Sequence, residues 1–321
     1  MRASYKHFGR YLWLAIGLVG VSGPVLADKL PQDWLNHMGA AVQSTSYEGT
    51  VIRIKDGKAE ALKVVHMIKD GVVMEKVVAQ EGNGLEIIRN GNEVHCILPD
   101  RKSVLVEEWD DQSTLFSTLP SSEIRFGNEY DVAIVRKERI AGREAIVLAI
   151  RPHDGYRYGH RIWLDTETSF PLQTQLISDG TAIEQVKFAE ITLNHEIHAS
   201  ELEPSYSTEH FTWLRRSSGH AGTVVEASWS SDEIPAGFRV VSAHEETMEG
   251  SDEVVTHILY SDGLANVSVF IAANSGKLAA GSARVGGSNS YGVEHGDFEI
   301  TAIGEVPAVT VEQIATSMSQ R

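Results

Sequence analysis

Four short stretches carry residue types that could perform chemistry. His195-Glu196-Ile197-His198 has the ingredients of a zinc hydrolase, two imidazoles and a carboxylate. That chemistry needs the histidines four apart on one helical face. Here they are three apart in a polar, irregular segment, and the stretch reads as a solvated loop. "GSARVGGSNSYG" (281–292) is glycine-rich but lacks the Gly-Lys-Ser/Thr that cradles phosphates, so it reads as a tight hairpin. Cys96, the single cysteine, sits in the apolar run "NEVHCILP". It has no electropositive setting to make a thiolate and cannot form an internal disulfide. No Gly-x-Ser-x-Gly elbow occurs. No catalytic residue, metal or cofactor is therefore expected, and the chain does not read as an enzyme.

The fourth stretch is "RPHDGYRYGHRIWLDTETSFPL" (151–172), with two tyrosines, a histidine and a tryptophan among several charges. Period-two alternation puts Tyr156, Tyr158, His160, Ile162 and Leu164 on one face, and Arg157, Gly159, Arg161, Trp163 and Asp165 on the other. An enzyme site would need acid, base and nucleophile to converge, whereas a strand spaces them apart. The plain reading is a half-buried strand with aromatic packing. The sharper one is that Tyr156, Tyr158 and Trp163 line a lipid or peptide cavity in a curved sheet.

The elements that position these residues are mostly strands. "LPQDWLNHMGAAV" repeats Trp34, Met38 and Val42 at helical spacing and predicts one early helix. Runs with period two then follow from "YEGTVIRIKDG" to "SVLVEE", punctuated by Asp-Gly, Glu-Gly and Asn-Gly, with Asn90-Gly91 as a hairpin signal. Residues 109–126 lose the alternation and suggest a short helix; Trp109, Leu115, Phe116 and Leu119 there are candidates to line or lid a cavity. Strands resume at 129–137, 143–151, 156–165, 171–178 and 182–194. Consecutive short strands with tight turns predict one curved antiparallel sheet. A polar, histidine-rich segment follows and reads as a linker over 197–222, with a helical piece near 204–211. In it, Arg215 and Arg216 are candidates to pair with an anionic head group. A second run of strands leads to a final helix, for which Thr310 and Gln313 predict a capping box and Val311, Ile314, Ala315 and Met318 an apolar face.

Residues 1–27 read as a secretory signal: Arg2, Lys6 and Arg10 precede the apolar run 11–21, and Val25-Leu26-Ala27 supplies small residues at a cleavage site. The expected domains are 1–27 signal peptide, 28–196 a large N-terminal β domain, 197–222 linker and 223–321 a smaller α+β domain. Losing the three basic residues of the signal takes the net charge from −16 to −19. So acidic a chain is a poor ligand for nucleic acid, which needs concentrated Lys and Arg, and basic partners suit it better.

Several stretches resemble the RseB/MucB family of periplasmic negative regulators of the sigma-E or AlgU envelope stress response. "DGYRYGHRIWLDTETSFPLQTQLIS" looks like its strand-turn-strand, and "IPAGFRVVS" after Trp229 like its Pro-x-Gly-Phe element. "YSDGLANVSVFI" and "EITAIGEVPAVTVEQIATSM" resemble its C-terminal landmarks, and "SYEGTVI" its first strand. The order is the family's, and coverage is nearly the whole chain after the signal. Ala308 stands where a second proline is common, and Ile234 where leucine is frequent. The resemblance implies a first domain similar to the lipoprotein carriers LolA and LolB, a curved antiparallel sheet over helices, followed by an α+β domain. It also implies a periplasmic, non-catalytic protein that binds the periplasmic segment of a single-span anti-sigma factor of the RseA/MucA type, shields it from site-1 proteolysis, and is released by lipid or lipopolysaccharide. A homodimer stays open, as does the alternative of a lipid or lipoprotein carrier.

Overall fold

The computed structural model describes residues 29–108, 115, 119, 128–215, 223–224, 228–247, 254–276 and 280–321. The expected signal peptide, Trp109, Phe116 and Arg216 lie outside these residues, as does most of 109–126. No described helix is long and apolar enough to cross a membrane.

The chain opens with α1 (Pro31–Ser44). Pro31 at the first helical position presets φ, and the Asp33 carboxylate accepts the Leu30 N–H at 3.1 Å. Next come β1 (Tyr47–Lys55), β2 (Lys58–Lys69), β3 (Val72–Ala79), β4 (Glu86–Asn90), β5 (Glu93–Leu98), β6 (Ser103–Glu108), β7 (Tyr130–Ile140), β8 (Arg143–Pro152), β9 (Gly159–Asp165), β10 (Pro171–Ser178), β11 (Thr181–Leu193) and β12 (Thr212–Arg215). They form one sheet in the order β12-β6-β5-β4-β3-β2-β1-β11-β10-β9-β8-β7. Asp56-Gly57, Asp70-Gly71, Ala141-Gly142 and Asp179-Gly180 all have positive φ at both positions, the I′ turn whose twist matches that of paired strands. At the expected Asn90-Gly91 hairpin the turn is shifted by one: Asn90 pairs with Glu93, and Gly91 is the first central residue.

Trp34, Leu35 and Met38 of α1 pack on Ile146, Leu148, Ile150, Ile162 and Leu164. A second cluster joins Tyr47, Val51, Val64, Val147, Trp163, Phe170, Leu172 and Phe188, with Leu115 and Leu119 partly buried against it. Ile162, Trp163 and Leu164 thus bury both faces of β9, so the expected half-solvated strand is a core strand. A polar row crosses the same lobe: Tyr47, His66, Glu75 and Arg89 are neighbours in register on β1 to β4, each at most 3% exposed. His66 Nδ1 and Glu75 Oε2 are 2.8 Å apart.

Residues 197–215, expected as part of a linker, are attached to this sheet. Ile197 and Leu202 pack on Val65. The helical piece expected near 204–211 is instead a 3₁₀ turn at Ala199–Leu202. Lys76 Nζ donates to the Glu203 carbonyl at 2.6 Å, and the Ser205 N–H donates to Glu86 Oε2 at 2.9 Å. β12 then pairs parallel with β6, among the described residues the one departure from antiparallel pairing in this sheet.

The second lobe comprises β13 (Thr223–Val224), β14 (Trp229–Ser231), β15 (Arg239–Thr247), β16 (Val254–Ser261), β17 (Asn266–Ala273), β18 (Gly281–Val285), β19 (Ser288–His295), β20 (Phe298–Gly304), α2 (Ala308–Thr316) and β21 (Met318–Gln320). Seven strands run in the order β13-β15-β16-β17-β20-β19-β18, and β21 pairs with β14. Val311, Ile314, Ala315 and Met318 lie in its core with Trp229, Ile258, Tyr260, Val267, Ile300 and Ala302, the apolar face read from the sequence. The capping box does not form. The helix starts earlier, with Pro307 at the N-cap, and Thr310 is fully buried in the first turn with its hydroxyl engaged elsewhere.

Candidate functional site at the junction of the two lobes

The first half of the stretch 151–172 is where the second lobe docks. Asp154 makes the bend, its carboxylate accepting the Tyr156 N–H at 3.0 Å, so 153–158 is a loop and the strand starts only at Gly159. The loop aims three consecutive residues across the junction. The Tyr156 carbonyl accepts the Thr310 hydroxyl at 2.6 Å, and the Tyr158 hydroxyl accepts from Asn289 Nδ2 at 3.0 Å. Asn289 also donates to the Val306 carbonyl at 2.7 Å.

Between them, the Arg157 side chain is wholly buried. Its Nε donates to Asp262 Oδ2 at 2.7 Å, one Nη to Asp154 Oδ2 at 2.5 Å, and the other to the Ala236 carbonyl. The guanidinium lies 4.9 Å from the Phe238 ring centre and 5.5 Å from that of Tyr130. Tyr130 donates to Asp262 Oδ2 at 2.8 Å, and burial, then the Asp262 charge, pushes its phenol pKa up. The other Asp262 oxygen accepts the N–H groups of Leu264 and Ala265. A buried charge needs such complete satisfaction, because an unpaired one costs several kcal/mol.

A second anchor is the β18–β19 turn. Gly286 donates its N–H to Asp56 Oδ2 at 3.0 Å and Gly287 to Glu184 Oε1 at 2.6 Å. A Cβ at Gly286 would lie 2.0 Å from Glu184 Oε1, and one at Gly287 2.4 Å from Leu176 Cδ2. Glycine at both positions leaves room for the Glu184, Lys55 and Leu176 side chains against the turn. Lys55 Nζ is 3.4 Å from Glu184. Glu305 is half-buried beside them; desolvation, then the Glu184 charge, pushes its carboxyl up to about 7 against the pull of Lys55.

The remaining candidates fall elsewhere. Trp163 is core, its indole N–H donating to Glu138 Oε2 at 2.5 Å and, together with Arg136, holding that carboxyl below its usual range. Leu115 and Leu119 rest on the large-lobe core. Arg215 is exposed on β12 and pairs with Glu93 at 3.0 Å. The Cys96 thiol is pushed up to about 11 by burial, then by the Glu107 charge, which keeps it from being a nucleophile at neutral pH. Arg157, Asp262, Tyr130, Gly286, Gly287 and Glu305 were not singled out from the sequence. The only signals were a charged, aromatic "DGYRY" and a double glycine in a hairpin. What the junction does chemically is to hold two lobes in register and leave a cleft of about 350 Å³ beside Arg157, closed on one side by Pro307.

The comparisons with known proteins agree with this two-lobe division. The family model of the MucB/RseB N-terminal domain matches residues 30–206, and that of the MucB/RseB C-terminal domain residues 223–319. The sigma factor AlgU regulatory protein MucB of Pseudomonas aeruginosa is 28% identical over 96% of this chain and 96% of its own length. The sigma-E factor regulatory protein RseB of Salmonella typhimurium is 27% identical over 97% of this chain and 99% of its own. Among solved structures, MucB in complex with MucA(peri) is similar with a TM-score of 0.67 at 26% identity, covering 91% of this chain and 99% of that one. Two lobes with their cores, connections and both family domains in order place the chain in the MucB/RseB family.

Proposed function

We propose that this protein is a periplasmic regulator that binds the periplasmic segment of a membrane-spanning anti-sigma factor of the MucA type. In this reading it shields the segment from the first protease to cut it, and lipid or lipopolysaccharide releases it. The observation that carries the reading is that both lobes together, over 91% of the chain, superimpose on a relative solved with its MucA segment bound. The relatives' names as sigma factor regulatory proteins support a binding rather than a catalytic role. Its net charge of −16 favours encounter with a basic juxtamembrane segment. Release requires only that the amphiphile bind the free receptor more tightly than the complex. Leu115 and Leu119, with Trp109 and Phe116 of the same segment, are the side chains we assign to acyl contact.

The test is protease protection. The cognate anti-sigma segment is digested by its site-1 protease with and without this protein, then with added lipid A-type amphiphile. Protection that the amphiphile reverses is the expected result. Absence of protection, together with recovery of lipoproteins alone from envelope extracts, would replace this reading with a carrier.

A further inference from the structure

We propose that the cleft beside the junction is an oxyanion site, binding the phosphate of a phosphomonoester between Arg151 and Arg161. This assignment does not rest on the partner proposed above. Both arginines line the cleft. Among the described residues neither guanidinium meets a hydrogen-bond or ion-pair partner, whereas Arg53, Arg136, Arg143 and Arg157 all pair with carboxylates. In a chain with 44 acidic and 28 basic residues, two unpaired cations in one hollow are unexpected.

Register brings them together. Ala149 opposes Arg161 and Ile150 opposes His160, so Arg151 lies on the same face as Arg161, diagonally across the β8–β9 ladder. Such diagonal pairs sit roughly 7–8 Å apart, within reach of two long side chains closing on one group. The floor between them is Ala149 and Gly159, and a Cβ at Gly159 would already touch the Ile150 carbonyl at 3.0 Å. Ile177 and Pro307 wall the hollow. At about 350 Å³ the cleft has the capacity of a small-ligand site.

The other charges facing the cleft leave the two arginines available. Arg157 is committed to Asp262 and Asp154. Asp154 accepts from Arg157 and from the Tyr156 N–H. Asp179, at the β10–β11 turn, accepts only the Ser178 hydroxyl at 3.4 Å and opposes an anion. His160 pairs with Ile150 on the other face of the ladder, away from the two arginines, and burial holds its imidazole down to about 4. A tetrahedral dianion presents enough oxygens to accept both guanidinium forks, while a carboxylate fills one; this favours phosphate. The phosphate can belong to a soluble sugar ester or to a lipid head group.

The experiment uses the full chain at constant ionic strength. Calorimetry measures inorganic phosphate and glucose 6-phosphate against chloride, and co-sedimentation measures phosphatidylcholine vesicles with and without phosphatidic acid. Phosphate or its ester is expected to bind where chloride does not. Arg151→Gln and Arg161→Gln should each weaken binding by at least about tenfold, and Asp179→Asn should tighten it. Circular dichroism and Tm in phosphate-free buffer should not change, since neither guanidinium has a partner to lose. Binding of the soluble ester alone identifies a free ligand; vesicle binding that the double variant loses identifies a head group. No binding in any arm, or binding that survives the double variant, overturns the site.

Discussion

The two anchors of the lobe junction solve the same problem with opposite chemistry. At Arg157 the contact is a charged side chain wholly removed from water, with Asp262, Asp154 and a carbonyl around it and aromatic rings beside it. At the β18–β19 turn the contact is backbone N–H groups reaching two carboxylates, possible only because Gly286 and Gly287 have no side chains. The first is deep and permanently charged. The second includes a carboxyl, Glu305, that titrates near neutrality. A rise in pH through that value adds a charge to the second anchor.

If that contrast is right, Asp262→Ala has the largest effect. It leaves the buried Arg157 guanidinium short of its main counter-charge and the Leu264 and Ala265 N–H groups without their acceptor. A loss of about 3–5 kcal/mol is expected in denaturant unfolding; a loss below 1 kcal/mol would mean the anchor is dispensable. Gly287→Val comes next. Its Cβ would overlap Leu176 Cδ2, and a cost of about 1–3 kcal/mol is expected, together with a larger radius of gyration in X-ray scattering as the lobes part.

The third test sharpens the pH contrast. Glu305 titrates at about 7 in the folded chain and near its ordinary 4.5 when unfolded. Between those values the folded state holds a proton the unfolded state has lost, so its contribution to stability falls as pH rises through the window and is flat above it. Glu305→Gln should therefore be about 3 kcal/mol more stable than the parent at pH 8 and lose that advantage by pH 4.5. A pH-independent difference would rule out titration at this anchor. Tyr130→Phe removes one of the hydrogen bonds to Asp262 and should cost about 1 kcal/mol. Arg215→Ala, at a surface pair outside the junction, should change stability by no more than about 0.5 kcal/mol.

Much of the fold could be read locally. Strands alternate and turns carry glycine, so β7, β8, β10 and β11 fall close to their expected spans. The apolar face of α2 was legible for the same reason. Polar composition misled over 197–215, where a few apolar residues and main-chain pairing are enough to fasten the segment to the large sheet. Thr310 looked like a cap because serine and threonine usually serve that way, but its hydroxyl is claimed by the other lobe. The junction itself was illegible because no short window contains it. Arg157 meets Asp262 across 105 positions and Gly287 meets Glu184 across 103.

That separation bears on how the molecule is made. Each stitch between the lobes closes a very long loop, and the residues waiting on the large lobe are synthesised well before their partners. Chain-closure entropy and the order of translation act in the same direction, so the large lobe should mature first and carry Arg157 without Asp262 until the rest emerges. During that interval the loop at 153–158 is a solvated, unfinished surface. Any delay in the second half would prolong it.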